Sequence, residues 1–192
     1  HAHSSSGIRQ ALEAGVDTLE HGSLLDDELI EMLVRQGTWL CPTMAISEYI
    51  VSEGAARGVP PASLAKARDM HDAHIESMRQ AYRAGARMFM GTDSCNTMAF
   101  GRHAWELELM QCQIGMTPME VIVASTSSAA EALDLGDVTG AVVPGRRADF
   151  VVVDGDPLAD LALLQDAARI LGVFRDGRLL VDRGLPPFSG AH

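Results

Sequence analysis

The nine residues Ala86–Ser94 read ARMFMGTDS, a short apolar run that ends in a glycine, a hydroxyl and a carboxylate. A run of this length between Gly85 and Gly91 is typical of a buried parallel strand. Because α/β folds build their sites at the carboxyl ends of such strands, Asp93 is a candidate functional residue. The commoner use of an Asp after a strand is a turn or a helix cap.

The composition narrows the classes of partner. The 192 residues carry a formal net charge of −11, without an excess of Lys or Arg to neutralise phosphates. Nucleic acid and anionic membrane are therefore not expected as partners. No apolar run reaches the roughly 18 to 20 residues that span a bilayer. The sequence is compatible with a homo-oligomer.

The cysteines Cys41, Cys95 and Cys112 are scattered and form no CxxC pair. Their odd number favours free thiols in a reducing compartment over a disulfide framework or a structural zinc knot, and this predicts a cytoplasmic protein. The chain begins without an initiator methionine or a charged-then-apolar leader. We therefore expect a portion upstream of His1, which could also carry a localisation signal.

Helical and strand patterns alternate from the start of the chain. Three helices are predicted: from an N-cap at Ser6 to Gly15, from Asp26 to Gly37, and from Pro61 to Gly85. Three strands are predicted, at VDTLEHG (16–22), TWLCPT (38–43) and ARMFMGTD (86–93). The stretch 44–61 has no clean period and is interrupted by Gly and Pro, which predicts a long loop. This order predicts a parallel sheet with right-handed crossovers, and both an open doubly wound sheet and a closed barrel fit it.

The next part of the sequence predicts two helices, followed by a small β unit. The first helix holds Trp105–Met110, and the second begins with a capping box at Thr117 and runs to Leu133, apolar nearly all round and so predicted to be buried. From Gly136 the chain reads as a small β unit, with a hairpin turn at the Asp-Gly pair 176–177. Its last residues, LPPFSGAH, look like a loose end.

Three candidate metal ligands, His1, His21 and Asp93, fall at predicted strand ends. All carboxyl ends of a parallel sheet lie on the same side, so these residues can converge, although unrelated surface or core positions are the alternative. Imidazole and carboxylate together suit Zn, Mn, Fe or Co. Such an ion lowers the pKa of bound water, and a nearby carboxylate could carry the proton. His3, two residues from His1, would share its side of a strand.

Four separated motifs carry a family resemblance. They are HAHSSSGIRQALEAGVDTLEHG (1–22), GTDS (91–94), GRHAWELELM with GMTPMEVIVAST (101–126), and TGAVVPGRRADFVVVDGDPL (139–158). Together they resemble the second half of the metal-dependent amidohydrolase superfamily, in the branch of imidazolonepropionase-like hydrolases, prolidases and Xaa-dipeptidases. The resemblance implies a distorted (β/α)8 barrel, with residues 1–135 as its second half and residues 136–192 as part of a small β-sandwich built from both chain ends.

The resemblance also implies roles for single residues. His1 would be the metal ligand after the fifth strand, His21 the ligand after the sixth, and Asp93 the ligand and proton shuttle after the eighth. His103 matches a substrate-facing His in relatives, and His3 is assigned to the substrate side. The family's His-x-His of the first strand and its fourth-strand ligand, often a carboxylated Lys, have no counterpart here. We expect the missing half of the barrel to be supplied by sequence outside this chain.

Other candidates have plainer interpretations. His71 and His74 have a spacing that can bind metal, but a partly buried pair on a helix surface is the commoner case. Cys95 is interpreted as loop packing, and Ser94 lacks the GxSxG context of a nucleophile. The methionines are interpreted as core packing.

The main functional hypothesis is therefore a hydrolase that cleaves an amide C–N bond with one or two divalent metals, zinc foremost. A dipeptide or an N-acyl amino acid is the first choice of substrate, and a cyclic amide such as an imidazolone is the second. A hydrolase of the same fold acting on an ester, lactone or carbamate is an alternative. A non-catalytic fragment that serves as a partner subunit is the alternative from a different class.

Overall fold

The computed structural model describes residues 1–94 and 100–185. Its helices are Ser5–Glu13 (α1), Asp27–Gln36 (α2), Met44–Glu53 (α3), Pro61–Arg83 (α4), Trp105–Leu109 (α5), Pro118–Ser125 (α6) and Ser127–Ala132 (α7). Its strands are Thr18–Glu20 (β1), Trp39–Cys41 (β2), Phe150–Val153 (β3), Ile170–Arg175 (β4) and Arg178–Asp182 (β5). Among these described residues, no helix combines the length and apolarity needed to cross a bilayer.

Four extended segments lie side by side in the order in which they occur in the chain. β1 pairs with β2 in parallel, with Leu19 opposite Leu40. Parallel bridges join Ala2 to His21 on one side and Leu40 to Met88 on the other. The predicted strand at 86–93 is thus reduced to one bridge, although Leu40 still donates to the Arg87 carbonyl at 2.8 Å and accepts from Phe89 at 3.1 Å. The predicted parallel alternation is present with shorter strands.

Helices α1, α2 and α4 follow the predicted apolar stripes, because each buries one face against the extended segments. The largest wholly buried side chains include Ile8, Leu12, Leu29, Leu33, Leu40 and Met78. The predicted N-cap Ser6 is wrong: Ser4 caps α1 by accepting from the Gly7 amide at 3.2 Å. Helix α2 has the predicted ends, with Asp26 as its N-cap and Gly37 in the left-handed conformation as its C-cap.

The predicted long loop at 44–61 is also wrong. Residues Met44–Glu53 form helix α3, and a short 3₁₀ turn covers Ala55–Arg57. Met44, Ala45 and Tyr49 are buried, but the apolar pattern of this helix is too even to show a single face in the sequence. Its first amides are bound by a residue 62 positions later in the chain, which no local pattern reveals.

After residue 100, the two predicted helices are replaced by shorter helical segments. A π-helical turn, Met110–Ile114, continues α5 to Gly115. The capping box is confirmed: Thr117 and Glu120 exchange hydrogen bonds at the start of α6. The predicted helix to Leu133 breaks at Thr126 into α6 and α7, and Leu133 is exposed. Since these short helices bury only one side, the prediction of all-round burial is wrong.

Strands β3, β4 and β5 form an antiparallel sheet in that order. The β4–β5 hairpin turns at Asp176 and Gly177, both with positive φ, as the sequence predicted. Gln165 donates to Glu108 at 2.7 Å and so ties this region to α5. The division at residue 136 stays a prediction. The predicted loose end LPPFSGAH begins at Leu185, and its residues from 186 onward lie outside the described part of the chain.

Candidate metal centre

The turns that leave the extended segments contain three non-glycine residues in the left-handed conformation. His21, Thr43 and Asp93 have φ of 74°, 54° and 49°. A side chain in this conformation is uncommon, and a β-branched residue such as Thr43 is a true outlier. Such strain, of about 1 to 3 kcal/mol per residue, concentrates at functional sites. All three residues follow the carboxyl ends of neighbouring segments, where the sequence predicted the site.

His21 lies at the centre of this group, only 5% exposed. Its Nε2 lies 3.0 Å from His1 Nδ1, and its Nδ1 lies 2.7 Å from Thr43 Oγ1. The Thr43 hydroxyl donates to the Pro42 carbonyl at 2.7 Å, so its oxygen accepts the proton of His21 Nδ1. The Nε2 lone pair of His21 therefore points towards His1. Metal-binding histidines are usually held in this way through their second ring nitrogen.

The surroundings of His21 favour its neutral form, which is the form that binds metals. Burial lowers the pKa of His21, His3 adds to that effect, and Asp93 opposes it. His3 stacks on the His21 ring, with centroids 4.1 Å apart and planes 14° apart. The Nδ1 of His3 is within 2.9 Å of Ser23 Oγ, so two contacts fix the orientation of its ring.

Asp93 and His3 line the same recess as His21, a cavity of about 260 Å³. The structure thus brings together His1, His3, His21 and Asp93. It places His103 elsewhere, on the exposed turn that precedes α5 and outside the lining of this recess. Ser94, set aside as a nucleophile, is 2.9 Å from the Thr92 hydroxyl. Cys95 lies outside the described residues, and Cys41 and Cys112 are free thiols.

The far wall of the recess is apolar. It consists of Ile46 and Ile50 on α3 and Ala67 and Met70 on α4. Ile50 and Met70 are partly open to solvent, at 38% and 37% exposure, although each is apolar. A recess with polar groups on one side and apolar side chains on the other is typical of a small-molecule site.

Helix α4 supports the site from behind. His74 donates from Nε2 to the His21 carbonyl at 3.0 Å, and Ser77 donates to the Ser23 carbonyl at 2.9 Å. Burial lowers the pKa of His74 to about 4, so its ring is neutral near pH 7. His71 contacts the hydroxyl of Ser47 at 3.0 Å and the carboxylate of Glu48 at 3.1 Å. The interpretation of His71 and His74 as a partly buried surface pair is therefore wrong, because both are buried and hold neighbouring elements.

The donors present fit a divalent cation. Two ring nitrogens that share a tetrahedral zinc at 2.0–2.1 Å lie about 3.3 Å apart, close to the 3.0 Å between His1 and His21. The Asp93 carboxylate lines the same recess, and zinc accepts carboxylate oxygen as well as imidazole nitrogen as a ligand. Within residues 1–94 and 100–185, no three His, Cys, Asp or Glu side chains are close enough to hold an ion by themselves.

The sequence profile of the Amidohydrolase family matches residues 1–180. The chain therefore belongs to the amidohydrolase family. It is similar to the ochratoxinase of Aspergillus niger, at 32% identity over 98% of this chain and 39% of that protein. The crystal structure of A. niger ochratoxinase superposes with a TM-score of 0.85 and 30% identity, over 97% of this chain and 42% of that one.

Two further relatives belong to the predicted branch. The imidazolonepropionase of Nocardia farcinica is 29% identical over 92% of this chain and 40% of that protein. A crystal structure of a Xaa-Pro dipeptidase with bound methionine superposes with a TM-score of 0.84 and 29% identity, over 93% of this chain and 43% of that one. The chain spans about two fifths of the length of these relatives. The predicted superfamily and the predicted partial TIM-like barrel are both confirmed.

Proposed function

We propose that the intact protein carrying this chain is a metal-dependent hydrolase that cleaves an amide C–N bond. The observation that carries the proposal is the contact of His1 with His21, beside a recess that Asp93 also lines, in a member of the amidohydrolase family. These residues would hold one or two divalent cations, zinc foremost. The remaining ligands come from the part of the barrel that the relatives contain in addition to this stretch.

Asp93 carries the proton in this proposal. A cation held by these residues would lower the pKa of the attacking water and polarise the scissile carbonyl. The Asp93 carboxylate takes a proton from the attacking water, whose oxygen bonds to the carbonyl carbon. When the C–N bond breaks, Asp93 returns that proton to the departing nitrogen. Burial lowers the pKa of His21 and so favours the neutral ring, which is the form that binds metals.

A dipeptide or an N-acyl amino acid is the proposed substrate. The apolar wall of Ile46, Ile50 and Met70 accommodates a hydrophobic side chain next to the scissile bond. The Xaa-Pro dipeptidase among the similar structures supports this choice. His3 contacts the substrate, since its ring lines the recess, and His103 is proposed to do so from the turn before α5. The likeness to an imidazolonepropionase favours a cyclic amide as the second candidate.

The decisive experiment replaces Asp93 with Asn in the intact protein. We expect Asp93→Asn to lower turnover of apolar dipeptides and N-acyl amino acids by about 10²–10⁴-fold, the usual contribution of a general acid–base. Asp134→Asn is the matched control, because Asp134 is another exposed Asp with positive φ, at the opposite ends of the strands. Its turnover should equal that of the wild type.

Metal analysis separates this proposal from that of a non-catalytic subunit. The intact protein should contain zinc or another divalent cation, and treatment with a chelator should abolish hydrolysis. Unchanged turnover in Asp93→Asn with metal still bound would refute the assigned mechanism. An intact protein without metal or hydrolytic activity would favour the non-catalytic alternative.

A further inference from the structure

Glu106 is a carboxylate that the proposed chemistry does not use. Its side chain is completely buried, at 0% exposure. One oxygen accepts the Met44 amide and the other accepts the Ala45 amide, both at 2.7 Å. These amides open helix α3, so a residue on α5 caps a helix that begins 62 positions earlier. Charge-assisted hydrogen bonds of this length are strong.

Thr43 explains why the cap comes from another helix. It occupies the N-cap position of α3, yet its side chain makes no capping hydrogen bond. Its hydroxyl instead donates to the Pro42 carbonyl and accepts from His21 Nδ1. Thr43 also has a φ of 54°, which a β-branched residue rarely adopts. Glu106 binds the two amides that directly follow this strained residue.

Among the described residues, no cationic side chain forms an ion pair with Glu106, and a buried carboxylate without such a partner is a costly way to cap a helix. Burial raises the pKa of Glu106 to about 7, and the two amides only partly offset it. A Thr, Ser or Asp side chain at the N-cap would satisfy one of the same amides at lower cost. The arrangement is understandable if the Thr43 hydroxyl is needed at His21 and is therefore not free to cap α3.

We propose that Glu106 is a positioning residue for the metal centre, acting on His21 through the backbone of Thr43. By fixing the amides of Met44 and Ala45, Glu106 holds the Thr43 hydroxyl where it receives the proton of His21 Nδ1. The Nε2 lone pair of His21 is thereby directed to the metal. This inference rests on the metal site of the proposed function, but the ring orientation of His21 can be measured without metal.

The first test is zinc affinity of the intact protein, by competition with a chelator. In Glu106→Gln the side-chain NH2 faces an amide N–H, so one of the two hydrogen bonds is lost. We expect zinc to bind about 10- to 100-fold more weakly, as is usual when support behind a ligand is removed. Glu120→Gln is the matched control, because Glu120 also caps a helix, α6, away from the site. It should leave zinc affinity unchanged.

A double-mutant cycle tests the route through Thr43. Thr43→Val removes the hydroxyl, whereas Thr43→Ser keeps it and should preserve zinc affinity. If Glu106 acts through Thr43, adding Glu106→Gln to Thr43→Val should weaken zinc binding little further. Fully additive losses would overturn the proposal. So would wild-type zinc affinity in a folded Glu106→Gln.

The ring nitrogens of His21 give a readout that is independent of metal. In metal-free intact protein labelled with ¹⁵N-histidine, wild-type His21 should carry its proton on Nδ1, and His21→Gln identifies the resonance. Glu106→Gln and Thr43→Val should both shift the tautomer, and Glu120→Gln should not. An unchanged His21 signal in a folded Glu106→Gln would overturn the positioning role, whether or not the wild type binds zinc. If Glu106→Gln does not fold, Glu106→Asp, whose shorter carboxylate cannot reach both amides without a shift, replaces it in each of these tests.

Discussion

The two ends of the parallel segments differ in size and in chemistry. The larger recess, about 980 Å³, lies at the amino ends, whereas the recess that holds His21 and Asp93 measures about 260 Å³. The charged residues that line the larger one, such as Arg87 and Glu131, are exposed. At the carboxyl ends, His21, Thr43 and their supporting polar groups are buried. Buried polar groups that hold one another distinguish the candidate site better than volume does.

The turns at the two ends show the same contrast in the backbone. The helix-to-strand turns at the amino ends use Gly15, Gly37 and Gly85, with φ of 75°, 71° and 83°. Glycine adopts this conformation without steric cost. The turns at the carboxyl ends use His21, Thr43 and Asp93 in the same conformation. Among these six turns, non-glycine residues take the left-handed conformation only at the carboxyl ends, where their side chains face the candidate site.

The largest expected effect concerns two buried ionisable groups behind the site. Burial raises the pKa of Glu106 from 4.5 to about 7 and lowers the pKa of His74 from 6.5 to about 4. Glu106 binds its proton more tightly in the folded state, so its contribution to stability falls as pH rises from 4.5 to 7. His74 binds its proton more weakly when folded, so its contribution is present above pH 6.5 and is lost as pH falls towards 4.

These contributions, each on the order of 3 kcal/mol, should largely cancel where the two ranges overlap. The test is the free energy of unfolding by urea as a function of pH, in metal-free intact protein. The unfolding free energy of the wild type minus that of His74→Gln should rise with pH. The unfolding free energy of the wild type minus that of Glu106→Gln should fall with pH. If both differences in unfolding free energy changed with pH in the same direction, the direction assigned to the pKa shift of either Glu106 or His74 would be wrong.

An intermediate effect is expected from Gly91, at the carboxyl end. A Cβ at this position would lie 2.6 Å from Cys41 Sγ. Gly91→Ala should therefore cost about 1 to 3 kcal/mol of unfolding free energy through overpacking. At the amino end, Gly37→Ala meets no atom within 4 Å and has only its positive φ to accommodate, which costs about 1 to 2 kcal/mol.

The removal of Cys41 Sγ separates crowding from other effects of Gly91→Ala. In a Cys41→Ala background, the cost of Gly91→Ala should shrink to a few tenths of a kcal/mol, because the contact is gone. The cost of Gly37→Ala should stay the same in that background. Equal costs of Gly91→Ala in both backgrounds would argue against crowding at Sγ.

Much of the parallel region could be predicted from sequence because its signals are local. Apolar stripes and glycine stops gave α1, α2 and α4, and polar residues after apolar runs pointed to His21 and Asp93. Thr43 follows its strand TWLC in the same way, so the same rule could have found it. It was missed because the Pro before it suggested only a strand end.

The support behind the ligands could not be predicted, because it depends on long-range contacts. Glu106 lies in the stretch WELELM, where no local pattern marks this acid as buried. Its burial becomes visible only when α5 packs against the start of α3. The same contact explains why Met44–Glu53 is helical although the sequence suggested a loop. The helical spacing of His74 is visible in the sequence, but nothing local shows that His74 and Ser77 bind the carbonyls of His21 and Ser23.

The smallest effect is expected from Arg87, at the amino ends. Its guanidinium lies 3.8 Å above the Trp39 ring and 3.3 Å from the Glu131 carboxylate. Because the side chains of Arg87 and Glu131 are both exposed to solvent, Arg87→Gln should cost at most about 1 kcal/mol of unfolding free energy. Turnover and zinc affinity should match the wild type, since no contact of Arg87 reaches His21 or Asp93. Urea unfolding and steady-state kinetics on the same preparation measure both quantities. If Arg87→Gln lowered turnover as much as Asp93→Asn, the assignment of the chemistry to the carboxyl ends alone would be wrong.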